Sequence, residues 1–330
     1  MKIAIDAMGG DYGPLITIQA VSRVLDSNKF IDFELFGNFE KAKPFMKKFQ
    51  LISSSRINFI HTEEVVESND RPSLALRVKK QSSMRLAIDS IKEKKNNACV
   101  SAGNTGALLG IARFVLKTLP GVSKPAICGV LPGINKVTRV LDLGANIDCS
   151  AQDLRSFAIM GSVLSKSTGG ILRPTVGLLN IGEEEVKGND IIKATADLLA
   201  AGDLNYCGFV EGDDIFKGTV DVIVCDGFVG NVALKAGEGA AKLLSGIARE
   251  EFSKNIFTKL SYLFAKNVTS NLKNRVDHRN YNGASLLGLR GTVVKSHGSA
   301  DSISFQKAIM VAVNEVSQKV PEVIGAQLEE

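Results

Sequence analysis

Short apolar runs that end in polar, glycine-rich turns and continue into helical patterns recur along this chain, and this alternation most constrains its fold. The clearest example is the apolar run Ala98–Ala102, which is typical of a buried strand and is followed at Leu108–Leu116 by apolar residues at helical spacing. The turn between them consists of Gly103, Asn104, Thr105 and Gly106. Such a turn presents free amide hydrogens at the positive end of a helix dipole, where an anion binds favourably. The alternative is a tight turn that needs glycine only for its backbone dihedral angles.

The same alternation continues to the end of the chain, so the sequence predicts an α/β fold with a mainly parallel sheet and helices on both faces. We expect residues 1–330 to form a single α/β catalytic unit, either as one body or as two lobes around a cleft. The predicted strands are Lys2–Ile5, Phe33–Phe36, Ile57–Ile60, Ala98–Ala102, Ala126–Leu131, Arg139–Leu143, Thr175–Asn180, Gly208–Val210, Val220–Cys225 and Gly291–Lys295.

Small polar residues follow six of these strands at the point where each strand ends. In open parallel sheets, ligands bind beyond the carboxyl ends of the strands, so we expect the six turns to meet at one cleft. The candidate substrate-binding or phosphate-binding residues are Asp6, Gly103, Asn104, Thr105, Gly106, Asn146, Asn189, Asp226, Asn231 and Ser299.

Two side chains in these turns are candidates for catalysis. Lys187 follows a strand end and is flanked by Glu183–Glu185 and Gly188, and its alternative interpretation is a salt-bridged lysine at a helix start. His297 follows the last strand, where it can carry a proton near neutral pH or simply bond to neighbouring backbone. The turns suit the binding and polarising of an anionic substrate better than covalent catalysis.

Several classes of protein are disfavoured. A net charge of +5 and the lack of a basic arm argue against nucleic-acid binding. There is no Walker motif, no Gly-x-Gly-x-x-Gly at the first helix, no Gly-x-Ser-x-Gly elbow and no metal-ligand spacing among the three histidines. Five scattered cysteines indicate reduced thiols in a cytoplasmic protein, and no apolar run is long enough to span a membrane.

One segment, residues 250–275, departs from the alternation and predicts a protruding amphipathic helix. Its apolar residues fall within one arc of a helical wheel, with Lys259 and Lys266 just outside the arc. This pattern is typical of a helix that binds an anionic membrane surface, and equally of one that packs on the core or on a dimer partner. The candidate membrane-binding residues are Phe252, Ile256, Phe257, Leu260, Leu263 and Phe264.

Taken together, the turns form a recognisable set. The motifs are Asp6–Asp11, Ser101–Ala107, Leu141–Asn146, Gly177–Gly182 with Lys187–Asn189, Cys225–Asn231 and Lys295–Ser299. In this order they resemble the PlsX family, the bacterial phosphate acyltransferases that make acyl phosphate from acyl-acyl carrier protein and phosphate. One departure is Gln81, at a position where the family pattern leads us to expect aspartate.

The resemblance implies a fold like that of isocitrate and isopropylmalate dehydrogenases and of phosphate acetyltransferase. It also implies a cytoplasmic homodimer, peripheral at the membrane, that supplies acyl phosphate to a membrane glycerol-phosphate acyltransferase for phospholipid synthesis. Phosphate is its own nucleophile and a thiolate leaves readily, so this chemistry requires no metal and no cofactor. The enzyme must supply proximity and charge stabilisation at the carbonyl oxygen.

Two other functions are weighed against this one. A non-catalytic lipid-binding regulator at the membrane surface would use the 250–275 segment but leaves the six polar turns unexplained. An NAD- and metal-dependent hydroxyacid dehydrogenase on the related fold would need an arginine and aspartate cluster that the sequence does not show.

Overall fold

The computed structural model describes residues 1–329, without the side chains of residues 272–274, 276 and 278. Over this range eleven strands form one sheet in the order β3-β2-β1-β4-β11-β10-β5-β6-β9-β7-β8. The strands are β1 (Lys2–Asp6), β2 (Asp32–Gly37), β3 (Ile57–His61), β4 (Ala98–Ser101), β5 (Ala126–Leu131), β6 (Thr138–Leu141), β7 (Thr175–Leu179), β8 (Asn205–Val210), β9 (Val222–Val224), β10 (Ala284–Leu287) and β11 (Thr292–Lys295).

Helices cover both faces of the sheet, which confirms the predicted fold class. They are α1 (Pro14–Ser27), α2 (Phe39–Lys48), α3 (Pro72–Arg77), α4 (Ser83–Lys92), α5 (Thr105–Leu116), α6 (Ala151–Gly169), α7 (Asp190–Ala200), α8 (Asp214–Lys217), α9 (Gly227–Ser253), α10 (Ile256–Val276), α11 (Ser302–Ser317) and α12 (Val320–Glu329). Three apolar clusters fill the space between helices and sheet. The largest fully buried side chains in them include Phe33, Phe157 and Phe305.

The sheet contains two parallel groups of strands that run in opposite directions. Strands β1–β4 and β11 form one group, and β6–β9 form the other. Between them, β10 is antiparallel to β11 and to β5, and β5 is antiparallel to β6. Three antiparallel steps reverse the strand direction, so the carboxyl ends of the two groups lie at opposite edges. The six turns therefore follow strands that end at opposite edges of the sheet.

Two elements differ from the sequence prediction. Strand β10, Ala284–Leu287, is not in the predicted set, although it joins the two halves of the sheet. The predicted helix over Phe252–Val268 is broken, because Asn255 caps a new helix by accepting hydrogen bonds from the amides of Phe257 and Thr258. Phe252 therefore belongs to α9, and residues 250–275 form the turn and arms of a helical hairpin.

Candidate functional site

The loops after β1, β4 and β11 pack together at one edge of the sheet. Asp6 is buried, and its carboxylate accepts hydrogen bonds from the hydroxyls of Ser83 at 2.7 Å and Ser101 at 2.6 Å. Burial raises the pKa of Asp6. A Cβ atom on Gly9 would lie 2.7 Å from both the Asp6 carboxylate and the Gly103 nitrogen. These contacts show that Asp6 holds the β4–α5 turn in place. A direct contact between Asp6 and the substrate stays a prediction.

The β4–α5 turn has the geometry expected of an anion site. The Asn104 side chain caps α5 by accepting from the amide of Ala107 at 3.0 Å, and it donates to the carbonyl of Ser68 at 2.9 Å. Within the described residues, the amides of Thr105 and Gly106 donate to no acceptor. Two free amides at the start of a helix of 12 residues are suited to bind oxygen atoms of an anion.

A second group of turns lies after β6 and β9. The buried carboxylate of Asp142 accepts from the amides of Ile127, Gly144 and Ala145, and from both the amide and the side chain of Asn146. The Asn146 side chain also donates to the carbonyl of Pro125 at 2.8 Å, so it holds the turn together from within.

The start of α9 packs on this turn at very short range. Asp226 caps the helix by accepting from the amide of Val229 at 2.9 Å, and the Gly227 amide donates to the Asn146 carbonyl at 2.7 Å. A Cβ atom on Gly230 would lie 1.9 Å from the Asp142 carbonyl oxygen, so only glycine fits there. This packing presents the exposed side chain of Asn231 beside Gly144.

A cleft of about 1460 Å³ connects the two groups of turns. Residues of β5, β10, α9 and α10 line it. The two groups of turns are close because β10 and β5, the strands between them, pair with their neighbours over only a few residues. Lys295, at the end of β11, pairs with Ala284 at the start of β10. Polar lining residues come from both groups and include Thr105, Gly144, Asn231, Lys295, Ser296 and His297. Apolar lining residues include Ile127, Leu131, Leu143, Leu234, Leu244 and Phe252.

His297 lies on the cleft wall with its ring held by the following residues. Its Nδ1 accepts a hydrogen bond from the Ser299 amide at 3.2 Å and lies 2.9 Å from the Ser299 hydroxyl. The amide of His297 donates to the Asn282 side chain at 2.9 Å. This arrangement assigns the proton of the neutral imidazole to Nε2. Ser299 thus orients the ring and is not itself part of the cleft lining.

Lys187 and Asn189 lie in the β7–α7 loop, outside the lining of this cleft. Asn189 caps α7 by accepting from the amide of Ile192 at 2.9 Å. Lys187 is exposed, and no ion pair joins it to a described acidic side chain, in spite of the flanking glutamates. The salt-bridged alternative is therefore not what the described residues show, and the catalytic role stays a prediction. Because β7 pairs with β9, this loop neighbours the turn that leads to Asn231.

The hairpin of α9 and α10 presents its apolar residues outward. Ile256, Phe257, Leu260, Leu263 and Phe264 are all exposed, with Phe257 at 77% and Phe264 at 90%. On the other side of α10, Lys259, Tyr262 and Lys266 line the cleft. Phe252 is half-buried, and its ring centroid lies 5.3 Å from that of Tyr262. Within the described part of the chain, no helix is both long and apolar enough to cross a bilayer.

Comparison with known proteins identifies the family. Residues 1–323 match the model of a family described as fatty acid synthesis protein. The chain belongs to this family, the PlsX family. A phosphate acyltransferase of Methylococcus capsulatus is 52% identical over 326 residues, which are 99% of this chain and 96% of that protein. A phosphate acyltransferase of Legionella pneumophila (strain Paris) is 51% identical over 329 residues, again 99% and 96% of the two chains.

Solved structures agree with the fold of this PlsX-family protein. A phosphotransacetylase from Streptococcus pyogenes superposes with a TM-score of 0.64 at 16% sequence identity, and covers 96% of this chain and 94% of its own. The EutD phosphotransacetylase from Staphylococcus aureus gives a TM-score of 0.61 at 15% identity with the same coverage. These superpositions show that this chain and the phosphotransacetylases share a fold.

From the sequence, Lys295 was named only as the first residue of the Lys295–Ser299 motif and not as a candidate site residue, and the structure adds it to the cleft lining. Lys295 is the one charged residue of β11 and stands at its carboxyl end. A lysine that ends an otherwise apolar central strand was the signal available in the sequence.

Proposed function

We propose that this protein transfers a fatty acyl group from acyl-acyl carrier protein to inorganic phosphate, giving acyl phosphate for phospholipid synthesis. The observation that carries the proposal is the near full-length identity of 51–52% to phosphate acyltransferases. The cleft supports it, because the free amide of Thr105 suits phosphate and the apolar walls suit an acyl chain. A lipid-binding regulator or a hydroxyacid dehydrogenase would leave these features without a role.

The chemistry needs no covalent intermediate on the protein. A phosphate oxygen attacks the thioester carbonyl carbon, a C–O bond forms, the C–S bond breaks and the carrier leaves as a thiolate. Hydrogen phosphate gives up its proton and the thiolate takes one up, so the reaction is balanced between these two substrates without an oxidant or any further reactant. His297 is suited to carry that proton, because its ring is oriented by Ser299 on the cleft wall.

The direct test is to incubate the pure protein with fatty acyl-acyl carrier protein and phosphate in the presence of hydroxylamine. Acyl phosphate reacts with hydroxylamine to give an acyl hydroxamate, whose amount should depend on both substrates and on the enzyme. Hydroxylamine also reacts directly with the thioester, so the absence of any enzyme-dependent increase in hydroxamate on addition of phosphate would contradict the proposal.

The carrier protein is the proposed acyl donor because the mouth of the cleft is basic. Arg249, Lys259, Lys266 and Arg275 all line the cleft, and they belong to the α9–α10 hairpin. An array of cations of this kind attracts an acidic protein partner and speeds its encounter.

The outward face of α10 is the proposed contact with an anionic membrane. Five exposed apolar side chains supply buried area when the helix binds to a membrane surface. In the proposed homodimer two hairpins would bind together, which strengthens attachment by multivalency. Release of the insoluble, reactive product at this cytoplasmic membrane surface would serve a downstream membrane glycerol-phosphate acyltransferase.

Replacing Leu260 and Phe264 by glutamate is expected to abolish co-sedimentation with anionic vesicles, because both side chains lie on the outward face of α10. Activity on soluble acyl-acyl carrier protein should remain largely intact, since neither residue lines the cleft.

The matched control is Ser53→Glu with Ser55→Glu, which adds the same charge at exposed positions in the loop before β3. This control should still sediment with vesicles. If the variant with glutamate at positions 260 and 264 still binds vesicles, α10 is not the membrane anchor. If size-exclusion chromatography shows that this variant is a monomer, the outward face of α10 serves dimerisation instead.

A further inference from the structure

The ammonium group of Lys295 lies in an unusual environment for a lysine. The side chain is partly exposed along the cleft, while the ammonium is enclosed by protein atoms. It donates hydrogen bonds to two backbone carbonyls, those of Ala102 at 3.3 Å and of Ser296. Within the described residues it forms no ion pair with a carboxylate. Burial of a cation without a directly paired anion costs free energy, which an anionic ligand would recover.

The surroundings of Lys295 connect it to the β4–α5 turn. Its register partner in β4 is Ser101, three residues before Asn104, and it hydrogen-bonds to Ala102 in the same turn. Thr105, whose amide has no described acceptor, lines the same cleft. The ammonium-bearing side chain of Lys295 and the free amide of Thr105 thus belong to residues that line the same cleft.

We propose that Lys295 is the phosphate-binding cation of this site, holding the phosphate substrate against the free amides of Thr105 and Gly106. The proposal rests on the proposed acyl transfer to phosphate and names a residue that the reaction would use. Lys295 neutralises charge on phosphate and orients it toward the thioester, and it does not itself take part in bond making.

The titration of Lys295 supports this role. Burial lowers its pKa to about 8, while the charges of Asp6 and Asp11 oppose that shift and Lys235 adds to it. His297 is the titratable neighbour in the same loop. Because the folded-state pKa lies below that of a free lysine, the unliganded protein loses this proton as the pH rises above about 8. Bound phosphate would favour the charged form, so phosphate affinity should fall over the same range.

Lys295→Met removes the charge and keeps much of the side-chain volume. The Michaelis constant for phosphate should rise at least about fivefold, and that for the acyl carrier should change by less than about twofold. Lys295→Arg should retain most of the phosphate affinity, and this affinity should no longer decline above pH 8, because arginine stays protonated.

Lys235→Met is the control variant, because it removes another lysine from the same cleft. Its ammonium is already paired with Glu238 at 2.9 Å, so the effect on phosphate should be smaller.

Thermal unfolding measures phosphate binding without the reaction. For the wild-type protein, phosphate should raise Tm above that in chloride at equal ionic strength, and Lys295→Met and Lys295→Gln should lose this shift. In chloride these variants should be at least as stable as the wild type, since a buried charge is removed. This readout decides the role of Lys295 even where no acyl phosphate is formed.

Two results would overturn the proposal. One is a phosphate-induced Tm shift that is absent in the wild type or equally large in the charge-removing variants. The other is a destabilised Lys295→Met protein with an unchanged Michaelis constant for phosphate, which would make Lys295 a structural counter-ion of Asp6.

Discussion

Asp142→Ala is expected to lower the free energy of unfolding by about 3 kcal/mol or more, the largest effect on stability among the substitutions considered. Its buried carboxylate accepts five hydrogen bonds, from the amides of Ile127, Gly144, Ala145 and Asn146 and from the Asn146 side chain. Alanine would leave these donors without an acceptor next to a backbone that packs tightly on Gly230. Urea or thermal unfolding of the purified variant measures the loss.

Asp226→Ala is the matched control, since it removes one capping hydrogen bond at the start of α9. A helix cap of this kind is worth about 1 kcal/mol, so its loss should cost far less stability than that of Asp142. Equal destabilisation by the two variants would show that the turn after β6 is not held by its carboxylate.

Lys187→Ala is expected to keep the fold and to lose at least about tenfold in turnover, equivalent to about 1.4 kcal/mol in barrier stabilisation. Lys187 is exposed and unpaired with any described carboxylate, so its removal should leave stability unchanged. Its loop follows β7 beside the turn that leads to Asn231, which lines the cleft. In the proposed role its ammonium stabilises the developing oxyanion.

Lys193→Ala removes an exposed lysine from the helix that follows the same loop, and it should leave turnover close to that of the wild type. Lys187→Arg should retain part of the activity, because the positive charge remains. Normal turnover in folded Lys187→Ala would refute the assignment.

The sequence predicted the fold class well because most strands are apolar runs with clear ends. The run Ala98–Ala102 and its turn correspond to β4 and the start of α5, with Asn104 as the cap. Strand β10 escaped prediction because Ala284–Leu287 is short and lies between glycines 283 and 288 with no alternation of polar and apolar residues. Without β10, the reversal between the two parallel groups could not be foreseen.

The sequence indicated which turns carry candidate site residues, but not which of these side chains line the cleft. Thr105, Asn231 and His297 line one cleft, whereas the side chains of Asp6 and Asn146 hydrogen-bond within or between turns. Which polar group faces a ligand and which faces another turn depends on packing between distant segments. Spacing along the chain carries no information on that choice.

Isotope-labelled phosphate shows directly whether phosphate becomes bonded to the acyl group. The protein is incubated with fatty acyl-acyl carrier protein and with phosphate in which all oxygens are oxygen-18. The masses of the products are then measured by mass spectrometry. We expect acyl phosphate that retains every labelled oxygen, because a phosphate oxygen attacks the carbonyl and no P–O bond breaks. Unlabelled fatty acid with an oxygen from water, and no acyl phosphate, would contradict it.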